Sequence, residues 1–228
     1  MNTSPPAALA NLKSELLAAI DLADEHGKYS DADFDRVIDT IHQLVPLSPV
    51  SAPLDQQDKI TAPWGTLFAS FGPRHTAGKP VVHETNLSLQ SFARFPKTPI
   101  RVLDIVQEIE HQTRTYSNVT TIETIDASTR ARLIVHGRYR DTDGNRQRYL
   151  VDFYEAELQP IDSADEPLAE AFDLPVDSPL SIPLKPPKLH SDVVYCDDDI
   201  RINFGSMNGV YVMQRLSLPF VAVGAVQS

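Results

Sequence analysis

Near the end of the chain, an arginine follows an acidic run at a spacing that suits charge pairing or ligand recognition. Asp197 lies four positions before Arg201, and Ile200 and Ile202 flank the arginine. A guanidinium at this spacing can meet the Asp197 carboxylate bidentately if the chain turns between them, which predicts a structural ion pair. An arginine among apolar strand residues can instead orient a carboxylate or carbonyl of a bound ligand, because a buried arginine needs a partner. Both interpretations stay open at this stage.

Two other polar side chains share strand faces with apolar residues. His83 alternates in step with Leu87, so it is a better candidate for an acid or base than the adjacent Glu84. The alternative is a histidine at the surface, or one whose hydrogen bonds are all made within the protein. Gln107 is in step with Ile105 and either bonds buried backbone or contacts a ligand oxygen. If the protein is an enzyme, His83 and Arg201 are its predicted catalytic residues.

Tyr139 and Tyr149 also fall in step with apolar neighbours, which predicts core positions with hydroxyl groups that can reach a ligand. Together with the residues above and with other aromatic side chains on predicted strands, they form a set of candidate ligand contacts. That set is Trp64, Phe68, Gln107, Tyr139, Tyr149, Phe153, Tyr195 and Arg201.

The sequence lacks the residue patterns that several kinds of metal, disulfide, nucleotide and nucleophile sites require. The acidic run at 197–199 has neither the glycine nor the terminal glutamate of a calcium loop, so a solvated turn is predicted. A single cysteine, Cys196, excludes an internal disulfide and any cysteine-based zinc site. The sequence contains no nucleotide-binding glycine loop, metalloprotease motif or nucleophile elbow. We therefore predict neither a metal nor a cofactor.

The elements that must position these residues are two helices followed by many strands. Apolar residues at helical spacing predict helices at 9–26 and 31–44, which form a hairpin. Alternating residues separated by turn signals predict a meander that closes into a barrel. The predicted strands are 64–71, 81–92, 100–109, 119–125, 132–140, 148–158, 192–196, 200–204 and 210–216.

Prolines and composition divide the chain further. We predict a helical hairpin at 1–46, a proline-containing linker at 47–60 and a barrel domain at 61–220. Residues 161–188 are acidic and then proline-rich, so they are predicted to form a long loop over a barrel mouth and not another strand.

The closing strands also resemble a known family. The pattern of the plastid lipid-associated protein (PAP/fibrillin) family ends in a spaced series of tyrosine, acid, arginine and glycines. The positions that match are Tyr195, Asp197, Arg201, Gly205, Gly209 and Val212. Cys196 and Phe204 depart from the pattern, standing where leucine and a second arginine are usual. The resemblance implies a mainly β, lipocalin-like antiparallel barrel. It also implies an association with lipids, carotenoids and prenylquinones in plastids and cyanobacteria.

Charge and hydropathy limit the partners. A net charge of −11 and a pI of about 5.0 argue against nucleic acid, whose binding depends on clustered lysine and arginine. No apolar run approaches the roughly 20 residues of a transmembrane helix. Residues 1–10 resemble neither a signal peptide nor an arginine-rich transit peptide, so a cytoplasmic location outside the plastid setting is predicted.

Three functions remain open. The first is a carrier that holds a small hydrophobic molecule in the barrel. The second is an enzyme of the same fold that cyclises or isomerises a hydrophobic intermediate, using polar groups in a closed pocket. The third is an interaction module, in which the helical hairpin docks to a partner or to its own copy as a homodimer. The sequence names neither the ligand nor the inward face of each strand.

Overall fold

A computed structural model describes residues 5–25, 27–71, 74–77, 88–91, 93–161, 168–175, 179–185 and 189–222 of the 228-residue chain. The helices are α1 (Pro5–Ile20), α2 (Asp31–Leu44), α3 (Gln57–Ile60) and α4 (Leu168–Ala171). The strands are β1 (Ala62–Phe71), β2 (Arg74–Ala77), β3 (Arg101–Glu110), β4 (Thr115–Glu123), β5 (Arg130–Thr142), β6 (Asn145–Pro160), β7 (Ser181–Pro183), β8 (Leu189–Cys196), β9 (Ile200–Gly205) and β10 (Gly209–Arg215).

Eight of these strands form a closed antiparallel barrel. The sheet runs in the order β10, β9, β8, β6, β5, β4, β3 and β1, and β1 then pairs with β10 to close the ring. The short strands β2 and β7 lie outside the ring and pair with β1 and β6. The structure thus confirms the predicted mainly β, lipocalin-like barrel preceded by helices.

The helical hairpin covers part of the outer wall of this barrel. Leu16 of α1 and Val37 of α2 share a buried cluster with Ile202 of β9 and Val212 of β10. The apolar face of β9 therefore points outward against the helices, and its alternate residues point into the barrel. Burial of the apolar stripes of α1 and α2, the faces that contain Leu16 and Val37, explains why the hairpin stays packed on the barrel wall.

The boundaries of α2 match the prediction, whereas α1 ends earlier than predicted. Ser30 caps α2 by accepting a hydrogen bond from the Asp33 backbone N–H at 3.2 Å. The helix predicted to reach residue 26 stops at Ile20, whose carbonyl oxygen accepts a hydrogen bond from the Tyr29 hydroxyl at 2.8 Å. In the described part of the chain, no helix combines the length and hydropathy that a bilayer crossing requires.

Residues 45–60 close one end of the barrel. Val50, Leu54 and Ile60 are buried in one cluster with Tyr116 and Tyr149 of the strands. The segment predicted as a linker therefore packs as part of the core, because its apolar residues cover the strand ends. The division of the chain into domains at 46 and 61 stays a prediction.

Residues 93–100 and the segment after β6 pack over the other end. Phe95 and Ile100 share a buried cluster with Leu133 of β5 and Phe172, which follows α4. The strand predicted at 81–92 is wrong where it is described, because Leu89–Ser91 is a single 3₁₀ turn. Residues 81–87 and 92 lie outside the described residues. The prediction that 161–188 contains no strand is wrong, because Ser181–Pro183 forms β7 by pairing with β6, and the same segment contains the short helix α4.

A C-terminal segment lies against the outside of the barrel and is held by a buried carboxylate. Val221 and Ala222 pack near Val119 and Ile134. Their backbone N–H groups donate to the Oε1 and Oε2 atoms of Glu108, at 2.6 and 2.7 Å. Both carboxylate oxygens are therefore used to fix the tail.

Glu108→Gln is expected to loosen this tail, because an amide offers only one acceptor oxygen for the two N–H donors. We expect a loss of about 1–3 kcal/mol in the free energy of unfolding. Hydrogen exchange at residues 216–222 should become faster, while exchange in α2 stays unchanged. Unchanged protection of the tail would contradict the assignment.

Candidate functional site

Arg201 lies in the barrel interior, beside Trp64. Its side chain is 0% exposed, and its Nη2 atom donates to Gln107 Oε1 and lies 2.8 Å from Met213 Sδ. The guanidinium carbon is 4.8 Å from the centroid of the Trp64 ring, which allows a cation–π contact. Because β9 and β3 are not neighbours in the ring, the contact between Arg201 and Gln107 crosses the interior.

Asp197 is not the partner of Arg201, so the predicted ion pair is wrong. Asp197 Oδ2 accepts hydrogen bonds from Lys13 Nζ and the Tyr195 hydroxyl, both at 2.7 Å. Asp197 Oδ1 accepts from the backbone N–H groups of residues 199 and 200 at 2.8 Å. The acid organises the turn before β9, whereas strand alternation directs Arg201 inward.

Asp197→Asn is expected to destabilise the protein by about 1–3 kcal/mol near neutral pH. Burial alone would raise the pKa of Asp197, but hydrogen bonds from Lys13, Tyr195 and the turn backbone outweigh burial and lower this pKa below the usual 3.8. A lowered pKa stabilises the fold only while the carboxyl is ionised, so the wild-type advantage disappears as the pH falls below 3.8.

Thermal unfolding of wild type and Asp197→Asn at about pH 7 and about pH 3 checks this sign. Asp198→Asn is the matched control, because the Asp198 side chain is 80% exposed and its ion pair with Lys59 is screened by water. The control should leave the melting temperature unchanged at both pH values. An equal effect of Asp197→Asn at both pH values would argue against an ionised Asp197 as the stabilising group.

A second arginine also faces Trp64. Arg215 has its guanidinium carbon 4.7 Å from the Trp64 centroid and donates to the carbonyl oxygens of residues 58, 59 and 61. Trp64 Nε1 donates to the Ile60 carbonyl at 3.0 Å. This end of the barrel is therefore closed by side chains whose polar groups are bonded to backbone, in contrast to Arg201.

Polar side chains form a network around Arg201. Gln107 Nε2 donates to Asn118 Oδ1 at 3.2 Å, and Asn203 Nδ2 donates to Ser191 Oγ at 2.8 Å. Burial raises the pKa of Tyr116, and the positive charge of Arg201 and hydrogen bonds to the network oppose this rise. The Tyr116 phenol thus stays neutral and links the two halves of the network.

Three of the predicted aromatic residues line the interior next to this network. The rings of Tyr139 and Tyr149 meet edge to face, with centroids 4.8 Å apart. The Tyr139 hydroxyl lies 2.9 Å from His111 Nδ1, and burial raises the pKa of Tyr139 to about 12. Phe153 packs against both the cluster around Tyr149 and the apolar cluster near Phe95.

The structure therefore brings together six of the predicted ligand contacts: Trp64, Gln107, Tyr139, Tyr149, Phe153 and Arg201. Their role in binding stays a prediction. Phe68 and Tyr195 do not belong to this group, because both pack on the outer wall against the helical hairpin. The grouping of these two side chains with the interior is corrected accordingly. His83 lies outside the described residues.

Four polar interior residues were missed by the sequence analysis: Thr66, Tyr116, Ser191 and Asn203. Asn203 could have been found, because it alternates in step with Arg201 on a predicted strand. Tyr116 was not found because β4 begins at Thr115, four positions before the predicted start. Thr66 precedes an irregularity in the pairing of β1 with β10, which interrupts simple alternation.

Several interior polar atoms have no protein partner among the described residues. They are Arg201 Nε, Arg201 Nη1, the Tyr149 hydroxyl, Asn203 Oδ1 and Thr66 Oγ1. Burial lowers the pKa of Arg201, and no carboxylate of the described residues lies within ion-pair distance of its guanidinium. A buried cation in this state has an unused capacity for hydrogen bonds to an acceptor.

A pocket of about 500 Å³ opens at the end of the barrel covered by Phe95. It lies between the segment before β3 and the strand β7. The lining residues are Arg94, Phe95, Pro96, Pro179, Ile182 and Pro183. Phe95 and Ile182 also pack in the interior apolar cluster, so the pocket and the interior share these two side chains.

Other chemistry is less well supported by this geometry. Burial raises the pKa of Cys196 to about 11, which keeps the thiol protonated and unreactive near neutral pH. Within the described ranges, no group of three or more histidine, cysteine, aspartate or glutamate side chains is arranged to hold a metal ion. The groups best placed for recognition are therefore the interior hydrogen-bonding atoms around Arg201.

Comparison with known families gives one match. The family model PAP_fibrillin matches residues 10–214, which include most of α1, all of α2 and every strand of the barrel ring up to position 214. No curated protein matches the chain. The match thus covers both the barrel and the helices that pack on its wall.

Proposed function

We propose, from the premise that this chain belongs to the PAP/fibrillin family, that its barrel binds a small hydrophobic molecule. Candidate ligands are isoprenoids, quinones, carotenoids, acyl chains and polyketides. An eight-stranded barrel has an interior wide enough for one small ligand, which is consistent with this function. The proposal concerns binding and leaves the identity of the ligand to experiment.

The observation that carries the proposal is the apolar pocket at the end of the barrel. Its volume of about 500 Å³ falls within the range of small-molecule sites, and three of its six lining residues are prolines. Prolines offer apolar surface without a backbone N–H donor, which suits contact with hydrocarbon. Because Phe95 also packs in the interior cluster, the pocket adjoins the barrel interior at this ring.

The first experiment is native mass spectrometry of freshly purified protein, followed by solvent extraction and identification of bound molecules. The second is titration with a conjugated polyene acid that accepts energy from tryptophan. The chain contains a single tryptophan, Trp64, and this residue lies in the barrel interior, so energy transfer reports binding in or near the barrel. We expect saturable one-to-one binding.

A matched pair of variants tests whether the pocket is used. Ile182→Glu introduces a charge into the pocket and should reduce polyene affinity at least about tenfold, because a desolvated carboxylate disfavours hydrocarbon. Leu180→Glu, two positions away at a side chain that is 37% exposed and does not line the pocket, should bind like wild type. Absence of saturable binding in wild type would overturn the proposed function.

An enzyme of the same fold is the second candidate. It is favoured by the unpartnered donors of Arg201 and Tyr149, because buried donors of this kind can polarise a carbonyl oxygen. Cyclisation or isomerisation of a hydrophobic intermediate would use such donors. Substitution of Arg201 separates the two functions. A carrier should lose affinity, whereas an enzyme should lose turnover and still bind its substrate.

Two further predictions from the sequence belong with this proposal. They are a cytoplasmic location and a homodimer formed through the helical hairpin. The hairpin stripes that pack on the barrel are not available to a second copy. Among the described hairpin residues, Leu17 and Leu22 on and after α1 are large apolar side chains that stay exposed and can form such a contact. Sedimentation of the purified protein at several concentrations tests the dimer.

A further inference from the structure

The unpartnered polar atoms of the interior converge on one region of the barrel. Thr66 pairs with Met213 across β1 and β10, and Met213 pairs with Arg201 across β10 and β9. These three residues therefore form one row across adjacent strands. Asn203 lies two positions along β9 on the same face, and the charge of Arg201 acts on the phenol of Tyr149, which lies on β6, two strands away in the ring. Two of the five orphaned atoms thus belong to Arg201, and the other three belong to residues near it.

The chemistry of these atoms is biased toward donation. Arg201 contributes one N–H at Nε and two at Nη1, and none of them meets an acceptor among the described residues. The hydroxyl groups of Tyr149 and Thr66 can also donate, and Asn203 Oδ1 is the only orphaned atom that solely accepts. A ligand that satisfies this set must bring more acceptor than donor atoms.

The positive charge of Arg201 favours an anionic acceptor over a neutral one. Arg201 is a buried cation, and the described residues supply no carboxylate to neutralise it. A planar oxyanion with two oxygens matches the fork of a guanidinium and forms charge-assisted hydrogen bonds, which are stronger than bonds to a neutral carbonyl. An ammonium ligand would be repelled, and an alcohol would leave the charge uncompensated.

The remaining surroundings are apolar. Phe153 lies between the cluster around Tyr149 and the apolar cluster that contains Leu133 and Phe95. Apolar side chains therefore separate Arg201 from the pocket at the barrel end, and they are suited to contact the hydrocarbon part of a ligand whose head binds Arg201. Arg94 lines that pocket, where it offers an approaching anion a first favourable charge.

We infer that the ligand of this barrel is a hydrophobic oxyanion whose delocalised anionic oxygens bind Arg201, with Tyr149, Thr66 and Asn203 as additional hydrogen-bonding groups. The inference rests on the proposed function, because it assigns a chemical class to the ligand of the same barrel. Two sources share this chemistry: the carboxylate of an acyl chain and the enolate of a hydroxyquinone or enolised dicarbonyl compound.

The test uses probes that differ only in their head groups. Dodecanoate, dodecanol and dodecylammonium compete with the polyene acid for the wild-type protein at about pH 8, where the carboxylate is ionised. A 2-hydroxy-1,4-naphthoquinone and the parent 1,4-naphthoquinone form a second pair. We expect each anion to bind on the order of tenfold more tightly than its neutral counterpart, and dodecylammonium to bind most weakly.

Arg201→Met removes the charge at nearly constant volume and should reduce the preference for anions to within about twofold. Arg215→Met is the matched control, since Arg215 also faces Trp64 but donates to three backbone carbonyls. This control should keep the preference. Tyr149→Phe leaves the charge of the protein unchanged. It should lower the affinity for the anions about threefold to tenfold and leave the affinity for dodecanol unchanged.

The outcomes distinguish the inference from the proposed function. Equal binding of dodecanoate and dodecanol overturns the inference but leaves hydrophobic binding intact. Absence of binding by every probe, including the polyene acid, overturns both. A preference for dodecanoate alone assigns the acyl source, and a preference for the hydroxynaphthoquinone alone assigns the enolate source. A preference for anions that survives in both Arg201→Met and Tyr149→Phe also overturns the inference.

Discussion

Arg201→Met is expected to make the ligand-free protein more stable, although the residue lies in the centre of the fold. The guanidinium is fully buried, and burial lowers its pKa because the charged form is disfavoured away from water. Within the described residues it has no carboxylate partner, and two of its three nitrogens lack an acceptor. Replacing a poorly compensated buried charge by an apolar side chain is often neutral or stabilising, so we expect a gain on the order of 1–3 kcal/mol.

Chemical denaturation of the ligand-free protein measures this effect. Arg215→Met should lower the free energy of unfolding, because it removes the hydrogen bonds that Arg215 donates to three backbone carbonyls. A higher free energy of unfolding for Arg201→Met, together with lost anion binding, would show that Arg201 is kept for function although it lowers stability. A loss greater than about 1 kcal/mol would instead assign it a structural role.

Gly137→Ala is expected to be among the most damaging single-methyl changes in the barrel. A Cβ atom at this position would overlap the carbonyl oxygen of Tyr116 and lie 2.7 Å from the Phe153 ring. The first neighbour is backbone of β4 at Tyr116, which pairs with Ile109 of β3, and the second is a ring packed against two apolar clusters, so neither moves without disturbing packing. We expect a loss of about 3 kcal/mol or more, near the upper end of overpacking effects.

Gly65→Ala offers a control of the same chemical change on another strand. Its added methyl group would meet the Leu216 side chain at 3.2 Å, and this side chain is only partly buried and can rotate away. We expect a loss below about 1 kcal/mol. Similar melting temperatures for the two variants would show that the close approach at Gly137 is relieved by strand movement.

The alternation of residues in β9 was sufficient to separate its two faces but not to assign them. Ile200 and Ile202 are more apolar than Arg201 and Asn203, and local polarity alone would place the isoleucines inside the barrel. The helical hairpin reverses this assignment, because it provides a large apolar surface outside the wall. The inward face of a strand is thus decided by what covers the barrel, which lies far away in sequence.

The helix α2 and the turn between β5 and β6 were more accessible to prediction. Ser30 and the early acids mark the start of α2 within a few residues. Gly144 adopts φ 77° in the turn between β5 and β6, a conformation that favours glycine. By contrast, β4 begins at residues 115–118, where threonine and tyrosine favour a strand but asparagine does not, and pairing with β3 and β5 decides the structure.

The position of the hairpin also has a consequence for the order in which the fold can form. Lys13 of α1 contacts Asp197 across 184 positions of sequence, and β1 closes the ring by pairing with β10, the last strand in the sequence. The first helices and the first strand therefore reach their final partners only after the last strand has been synthesised. Folds dominated by such distant contacts form slowly, on a timescale of roughly milliseconds to seconds. Until then the apolar stripes of α1 and α2 stay exposed, which makes the nascent chain a natural client for chaperones.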